Sequence, residues 1–399
     1  MIETLNRDCF CPSLDSERLH QLIESRIPNL FAELPLFVAR RHVDEMSRVI
    51  AAVEEVVALA AYRDIVVARA PEIARFDSGA LGVFGGYDFH LGADGPRLIE
   101  INTNAGGALL NTALGLAQRA CCAGVASMSS GPIPAECLEQ AFFDMFLAEW
   151  RRAGRSGLPR RVAIVDDAPQ SQFLYPEFLL FQRLFHRFGV EASILAPEQL
   201  ASERGIELIY NRLTDFYLEQ APHAALRQAY LSGAAVVTPN PRAHALYADK
   251  RNLILLSDET QLRGWGLRET TIETLRAGIP RTVPVAEGLW SERRKLFFKP
   301  AAGHGSRAAY RGDKLTRRVW AEILRGQYVA QELVAPSERR LSAAVAMKVD
   351  VRNYVYAGEV QMLAARLYQG QTTNMRTPGG GFAPVLHALT RASAIEPCR

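Results

Sequence analysis

The chain has 399 residues, of which 48% are hydrophobic and 22% charged, and its formal net charge is +3. These are ordinary globular values, and the length predicts two or three domains. So small a net charge favours neither nucleic acid nor a membrane surface as a partner. The six cysteines lack C-x-x-C spacing, which argues against zinc and against a disulfide framework. Because no apolar run is long enough for a leader or a membrane span, we expect a soluble, cytoplasmic protein.

In chain order, the predicted elements fall into three domains. Residues 1–155 hold an irregular entry segment, helices and a hairpin, and a Gly- and Pro-containing break at 154–159 ends them. Residues 160–240 alternate apolar strands with amphipathic helices, which predicts a small α/β unit with a parallel sheet. The third domain, 241–399, begins with a helix and continues with strands at 296–300, 328–334, 347–356 and 359–367.

A β-hairpin is predicted over residues 87–102, because turn residues separate two β-prone runs. A loop from Gly92 to Pro96 would place Asp88 opposite Glu100 across the ladder. Side chains alternate along each strand. One face then carries the polar residues Asp88, His90, Glu100 and Asn102. The other is a core face with Tyr87, Phe89, Leu91, Ile99 and Ile101.

The polar face of the hairpin predicts a magnesium site. Repulsion between Asp88 and Glu100 would cost stability unless a cation lies beside them, and Mg²⁺ prefers oxygen ligands of this kind. A solvated polar face is the simpler alternative, but the Gly-rich stretch 102–108 follows at once, and its backbone can lie close to a ligand. We therefore predict Mg²⁺ binding by Asp88, Glu100 and Asn102. Removal of the Glu100 charge should then raise the stability of the metal-free protein slightly.

A second group of residues suits a phosphorylated ligand. Lys299 ends an apolar strand and supplies a point charge just before a loop that contains Gly303, Gly305 and Ser306. The two glycines let backbone N–H groups approach phosphate oxygens. A Gly-x-Gly loop alone is more often a turn than a phosphate cradle, so the prediction depends on residues further along the chain.

About 30 residues later, the segment 331–334 ends another strand. Gln331, Glu332 and Val334 are placed to offer groups to adenine, and either Glu332 or Glu338 is suited to bind ribose hydroxyls. Further on, Asp350-Val351-Arg352 puts a carboxylate and a guanidinium on one strand face, and Arg366 follows on the next strand.

Together these residues resemble the ATP-grasp superfamily, in which two α+β lobes hold ATP between them. The resemblance covers, in the family's order, Lys250, Lys299, Gly303–Ser306, Gln331–Val334, Asp350–Arg352 and Arg366. In most ATP-grasp enzymes the acidic metal motif comes last. Here the matching pattern, Asp88 followed by Glu100-Ile101-Asn102, precedes Lys299 by about 200 residues. That order is similar to the circularly permuted branch typified by glutathionylspermidine synthetase.

The resemblance implies an α+β / α/β fold, a circularly permuted ATP-grasp with a small Rossmann-like pre-ATP-grasp unit at 160–240. It implies ATP and Mg²⁺ as cofactors, with Lys250 and Lys299 on the phosphates and the 303–306 loop closing over them. Arg366 and Lys299 become the catalytic residues, and Arg366 would stabilise charge on an acyl phosphate. One departure is Gly86, where the family tends to carry an arginine. Arg366 or Arg376 is expected to take over its role.

The predicted activity is ATP-dependent carboxylate–amine ligation through an acyl phosphate, with a small-molecule acid and amine as substrates. Their pocket is expected between the α/β unit and the 102–107 loop, but the sequence identifies neither substrate. Two alternatives remain open. An ATP-grasp kinase would transfer phosphate without depending on an amine, and a non-catalytic ATP·Mg²⁺-binding module would bind nucleotide without turnover.

Overall fold

The computed structural model describes residues 2–10, 29–117, 128–129, 131–301, 308–371, 373 and 377–388. Its α-helices are α1 Ile2–Asp8, α2 Arg40–Val57, α3 Ala60–Ala68, α4 Ala108–Ala117, α5 Ala135–Arg152, α6 Tyr175–Arg187, α7 Ala224–Ser232, α8 Pro241–Ala243, α9 Asn252–Leu256, α10 Glu259–Gly264, α11 Glu269–Gly278 and α12 Arg317–Arg325. Within these ranges, no helix combines the length and the apolarity that crossing a membrane requires.

Within the described residues, the strands form three separate sheets. They are β1 Leu36–Phe37, β2 Gly85–Gly92, β3 Gly95–Asn102, β4 Met128–Ser129, β5 Arg161–Val165, β6 Glu191–Leu195, β7 Leu208–Asn211, β8 Val236–Thr238, β9 Thr282–Pro284, β10 Leu296–Pro300, β11 Tyr310–Arg311, β12 Tyr328–Glu332, β13 Ser337–Arg340, β14 Ala346–Tyr356, β15 Glu359–Tyr368 and β16 Gly381–Ala388. The mixed α/β class predicted from the sequence is confirmed.

The main sheet joins strands from the beginning and the end of the chain. Its order is β1-β16-β15-β14-β2-β3, with β13 paired to β14 and β4 paired to β16. The antiparallel β2–β14 ladder sets Asp88 opposite Arg352, and the β14–β15 ladder sets Asp350 opposite Arg366. Residues of the first and third predicted domains therefore share one sheet. The domain boundaries themselves stay a prediction.

Helix α2 covers the apolar face of the main sheet. Its residues Met46, Ile50 and Val53 recur at helical spacing and are fully buried. They pack against Tyr87, Phe89 and other inward-facing residues of the sheet. The opposite, polar face of the hairpin is thereby left to face the site.

The predicted parallel sheet of residues 160–240 is present, with the strand order β6-β5-β7-β8. Helix α6 connects β5 to β6, and its phenylalanines pack on one face of the sheet together with those of α5. Cys137, near the start of α5, forms a disulfide bond that the cysteine spacing did not predict, whereas Cys9 remains a thiol.

A small antiparallel sheet of order β11-β10-β12-β9 forms a further layer. Phe298 of β10 packs against Trp320 of α12, and this cluster fixes the strand that carries Lys299. The ladder between β10 and β12 pairs Lys299 with Val329 and Phe297 with Gln331. Lys299 and Gln331 are therefore diagonal neighbours on one face of this sheet.

The hairpin register predicted around Asp88 and Glu100 is confirmed, but the turn differs from the predicted one. Gly92 pairs with Gly95, so only two residues form the turn, and a β-bulge between Asp88 and Phe89 adds one residue back. The bulge shifts the side-chain alternation by one position. Leu98, not Ile99, therefore packs in the core, and the prediction of a core-facing Ile99 was wrong.

Candidate functional site

A cavity of about 280 Å³ lies between the hairpin of the main sheet and the small antiparallel sheet. It brings together eight residues predicted to bind metal or nucleotide: Glu100, Asn102, Lys250, Lys299, Gln331, Glu332, Val334 and Glu338. Gly303, Gly305, Ser306 and Arg376 lie outside the described residues. Asp88 and Arg366 are buried behind the cavity wall and do not line it.

Several residues that line the cavity were not predicted. Lys348 and Tyr368 face each other across the β14–β15 ladder, and Gln371 and Thr373 follow β15. No sequence motif points to them, because they reach the cavity only once β14 has paired with β2.

Lys299 is held in a fixed position at the cavity wall. Its Nζ donates to the backbone oxygen of Ile99 at 2.7 Å and to Oε1 of Gln331 at 2.8 Å. Burial lowers the pKa of Lys299 to about 8, although the charge of Glu100 opposes this change. The lysine is thus a buried cation that an anionic ligand would stabilise.

Glu100 is the complementary anion. Burial by itself would raise its pKa, but the charges of Lys250, Lys299 and Arg366, together with a hydrogen bond from Asn102, lower the pKa to about 2. Glu100 is therefore ionised throughout the physiological range and can attract a divalent cation at the cavity wall.

Asp88 is completely buried and lies between two arginines. Its Oδ1 accepts from Nε of Arg352 at 2.6 Å. Its Oδ2 accepts from Nη2 of Arg352 at 2.7 Å, Nη2 of Arg366 at 2.8 Å and Nδ2 of Asn102 at 2.9 Å. The charges of two guanidinium groups thus compensate the negative charges of Asp88 and Glu100. The expectation that a bound metal cation is needed to offset their repulsion was wrong.

The arginine pair continues into a longer chain of contacts. Nε of Arg366 donates to Oδ1 of Asp350 at 2.6 Å, and the hydroxyl of Thr373 donates to Oδ2 of Asp350 at 2.6 Å. Burial would lower the pKa of Arg366, but Asp350 and Asp88 raise it. The charges alternate from Arg352 to Asp350, so each buried ion has a partner of opposite sign.

Glycine at position 86 makes room for Arg352. A Cβ atom added there would lie 3.2 Å from Nε of Arg352 and 2.6 Å from Cβ of Ala105. The space beside Asp88 is therefore filled by a guanidinium group from the neighbouring strand. The sequence predicts Arg366 or Arg376 for this place, and the structure puts both Arg352 and Arg366 on Asp88.

The hairpin fits Mg²⁺ through Glu100 and Asn102. Asn102 Nδ2 donates to Asp88 and, at 3.2 Å, to Oε1 of Glu100, so the amide is oriented by both carboxylates. In the part of the chain that the structure describes, no group of three His, Cys, Asp or Glu residues could hold a metal. Mg²⁺ needs no such group, because it usually keeps waters and binds one or two carboxylates plus substrate phosphates.

The far end of the cavity has an apolar wall and a braced backbone. Phe297, Leu333 and Tyr368 line it. Nδ1 of His90 lies 2.8 Å from the backbone oxygen of Val334, and the Leu333 N–H donates to the backbone oxygen of Lys295 at 2.8 Å. These two backbone groups already have partners inside the protein. The adenine contacts and the choice between the two glutamates for ribose stay predictions.

Lys250 and Lys299 thus face the same cavity as Glu100, Glu332 and Glu338, between two sheets. The chain is similar in structure to a glutathione synthetase-like effector from Globodera pallida, with a TM-score of 0.56 and 10% identity over 92% of this chain and 96% of that one. The two chains therefore share a fold, which agrees with the resemblance predicted from the sequence.

Two further solved structures align with lower TM-scores. A putative gamma-glutamylcysteine synthetase from Methylobacillus flagellatus aligns with a TM-score of 0.45 and 10% identity over 93% of this chain and 88% of that one. The ATP-grasp ligase PsnB aligns with a TM-score of 0.30 and 13% identity over 59% and 93% of the two chains. No protein-family model and no curated protein sequence matches this chain.

Proposed function

We propose that the protein is an ATP-dependent carboxylate–amine ligase that acts through an acyl phosphate. The observation that carries the proposal is the meeting of Glu100 and Asn102 with Lys250 and Lys299 around one cavity. The proposal agrees with the similarity in fold to a glutathione synthetase-like effector. The acid and the amine are small molecules that enter beside the hairpin.

We also propose that the ATP-grasp fold is circularly permuted, with a Rossmann-like unit at 160–240. In support, β2 and β3 precede the lysine strand β10 in the chain, yet β2 pairs directly with β14 in the main sheet and β3 pairs with β2. The metal motif would then have moved in sequence without moving in space.

The nucleotide would lie along the cavity from the apolar wall to the hairpin. Lys250 and Lys299 would hold its phosphates, and Glu100 and Asn102 would hold Mg²⁺, which neutralises phosphate charge when bound. The 303–306 loop would cover them, and Glu332 or Glu338 would bind the ribose. Asp88 would fix Arg352, Arg366 and Asn102 in position. The protein would thus act mainly by positioning and electrostatics.

In the reaction, a carboxylate oxygen of the acid takes the γ-phosphoryl group of ATP, and ADP leaves. The amine nitrogen then attacks the acyl carbon, the bond to the phosphate oxygen breaks, and the nitrogen loses a proton to solvent. Arg366 and Asn102 both donate to Oδ2 of Asp88, and the charge of Arg366 acts on Glu100 at the cavity wall. The same charge would stabilise the negative charge that develops on the acyl phosphate.

The decisive experiment is interception of the acyl phosphate by hydroxylamine. The protein is incubated with ATP, Mg²⁺, hydroxylamine and panels of carboxylic acids, and hydroxamate and ADP are measured together. We expect equal amounts of both products with the true acid, and loss of both in Lys299→Met. The matched control Lys314→Met replaces an exposed lysine outside the cavity and should retain activity.

Two results would reject the ligase. ADP formed together with a stable phosphate ester, without hydroxamate for any acid, would identify a kinase. Tight ADP·Mg²⁺ binding without ADP release for any acid or amine would identify a nucleotide-binding module. Both results would leave the fold unchanged.

A further inference from the structure

The carboxyl edge of the parallel sheet carries two charged residues that do not line the nucleotide cavity. The strand order is β6-β5-β7-β8, so the chain leaves β5 to one side for β6 and crosses to the other side for β7. In open parallel sheets, ligands bind at this change of direction, outside the carboxyl ends of the strands. Asp166 directly follows β5, and Arg212 directly follows β7.

Both side chains lie on the same face of the sheet. Asp166 N–H donates to the backbone oxygen of Leu195, and Arg212 N–H donates at 2.8 Å to that of Val165, so both residues extend the ladders. The guanidinium carbon of Arg212 lies 5.2 Å from the ring centre of Tyr210. Asp166 is 9% exposed and Arg212 is 6% exposed. A carboxylate and a guanidinium thus lie at the carboxyl ends of β5 and β7, the place named here the crevice, and are almost wholly removed from water.

Arg212 connects the crevice to the hairpin. Its Nη1 donates to Oδ1 of Asn104 and to the hydroxyl of Tyr210, and a Cβ atom added at Gly106 would lie 2.7 Å from Nη2. The guanidinium therefore packs on the loop that begins directly after Asn102. This loop starts from Asn102, which lines the nucleotide cavity, so Arg212 contacts a segment that begins at the cavity wall.

The nearby glutamate is already engaged. Glu177 accepts backbone N–H groups of Gly107 at 2.8 Å and Leu109 at 3.1 Å, which fixes the start of α4. Asp166 accepts only from the backbone N–H of Asp167 at 2.8 Å, and no described side chain donates to it. Burial raises the pKa of Asp166 to about 7 in spite of Arg212. Nε of Arg212 is buried and also lacks a hydrogen-bond partner among the residues that the structure describes.

A buried carboxylate and a buried guanidinium N–H with spare hydrogen-bonding capacity are costly unless a ligand pairs with them. We propose that the crevice between the carboxyl ends of β5 and β7 binds the non-reacting end of an amino-acid-type substrate. Asp166 accepts from its ammonium group, and Arg212 donates to its neighbouring carboxylate or carbonyl oxygen. This inference rests on the proposed function, which supplies the reaction at the other end of the substrate.

The test separates binding from turnover in the full-length chain. Panels of free amino acids, of dipeptides and of the matching acids without the amino group are titrated, and affinity is measured from shifts in melting temperature. ADP release is measured in parallel with ATP, Mg²⁺ and hydroxylamine. We expect an amino compound to bind at least about tenfold more tightly than its deaminated counterpart, as one hydrogen bond to a charged group implies.

In the variant Asp166→Asn, the ratio of affinities for the amino compound and its deaminated counterpart should fall by about tenfold or more. The affinity of the variant for ADP should stay within about twofold of the wild-type value, because Asp166 does not line the nucleotide cavity. The control Asp144→Asn changes an exposed residue of α5 and should behave as wild type.

Each outcome decides one of the two proposals. Deaminated acids that bind or stimulate ADP release as well as amino compounds would overturn the crevice and leave the ligase standing. An amino preference retained in Asp166→Asn would also overturn it, and so would the absence of binding by every amino compound. Amino compounds that bind wild type but not Asp166→Asn, without any ADP release, would support the crevice and reject the ligase.

Discussion

Replacement of Glu100 by glutamine tests the electrostatics of the site directly. The pKa of this carboxyl falls from an ordinary 4.5 to about 2, because Lys250, Lys299, Arg366 and Asn102 outweigh the effect of burial. A pKa shift of that size contributes at most about 3 kcal/mol to the free energy of unfolding. The sequence alone predicts a slight gain in stability from this change, but the surrounding cations reverse the sign.

The pH dependence gives the same test a second readout. A carboxyl with a depressed pKa stabilises the folded state above its unfolded pKa, and this contribution disappears as the pH falls from about 4.5 towards 2. Urea unfolding at pH 7 should therefore show Glu100→Gln to be less stable than wild type by about 1–3 kcal/mol. The difference should shrink below pH 4.

The control for this experiment is Glu338→Gln, which changes an exposed glutamate at the edge of the same cavity. It should alter the free energy of unfolding by less than about 0.5 kcal/mol. A Glu100→Gln protein that equals or exceeds wild-type stability at pH 7 would show that the lysines do not stabilise the Glu100 carboxylate.

The same contacts lead to three further predictions. Burial lowers the pKa of Lys299 to about 8, and a bound phosphate favours the charged form of the lysine. The affinity for ADP·Mg²⁺ should therefore fall above pH 8, by up to about tenfold per pH unit. Calorimetry that finds a constant affinity from pH 7 to about 9.5 would refute this prediction. Gly86→Ala should destabilise the fold by about 1–3 kcal/mol in urea, since its methyl group would lie 2.6 Å from that of Ala105, whereas Gly264→Ala, with open space around it, should not. Asp88→Asn should lower the free energy of unfolding by about 3–5 kcal/mol, because two buried guanidinium groups lose their shared anion. A urea midpoint near that of wild type would show that the two arginines do not depend on the Asp88 charge.

The sequence was sufficient for the parts of the fold that depend on local periodicity. The strands of the parallel sheet, Lys299 at the end of β10 and the pairing of Asp88 with Glu100 all follow from alternation and turn residues. The last of these held although the turn was predicted too long. The one-residue bulge restored the register at Asp88, but it could not restore the predicted orientation of Ile99.

Only the tertiary structure decided what surrounds the two carboxylates. Arg352 lies 264 positions after Asp88 in the chain, and the two meet because β14 pairs with β2 in a register that no local pattern encodes. The same pairing explains why a glycine stands at position 86 and why Asp88 is a buried counter-ion behind the cavity wall. The types of charged residue could be read from the chain, whereas the sign and size of their effect on one another depend on distances of a few ångströms in a region from which water is excluded.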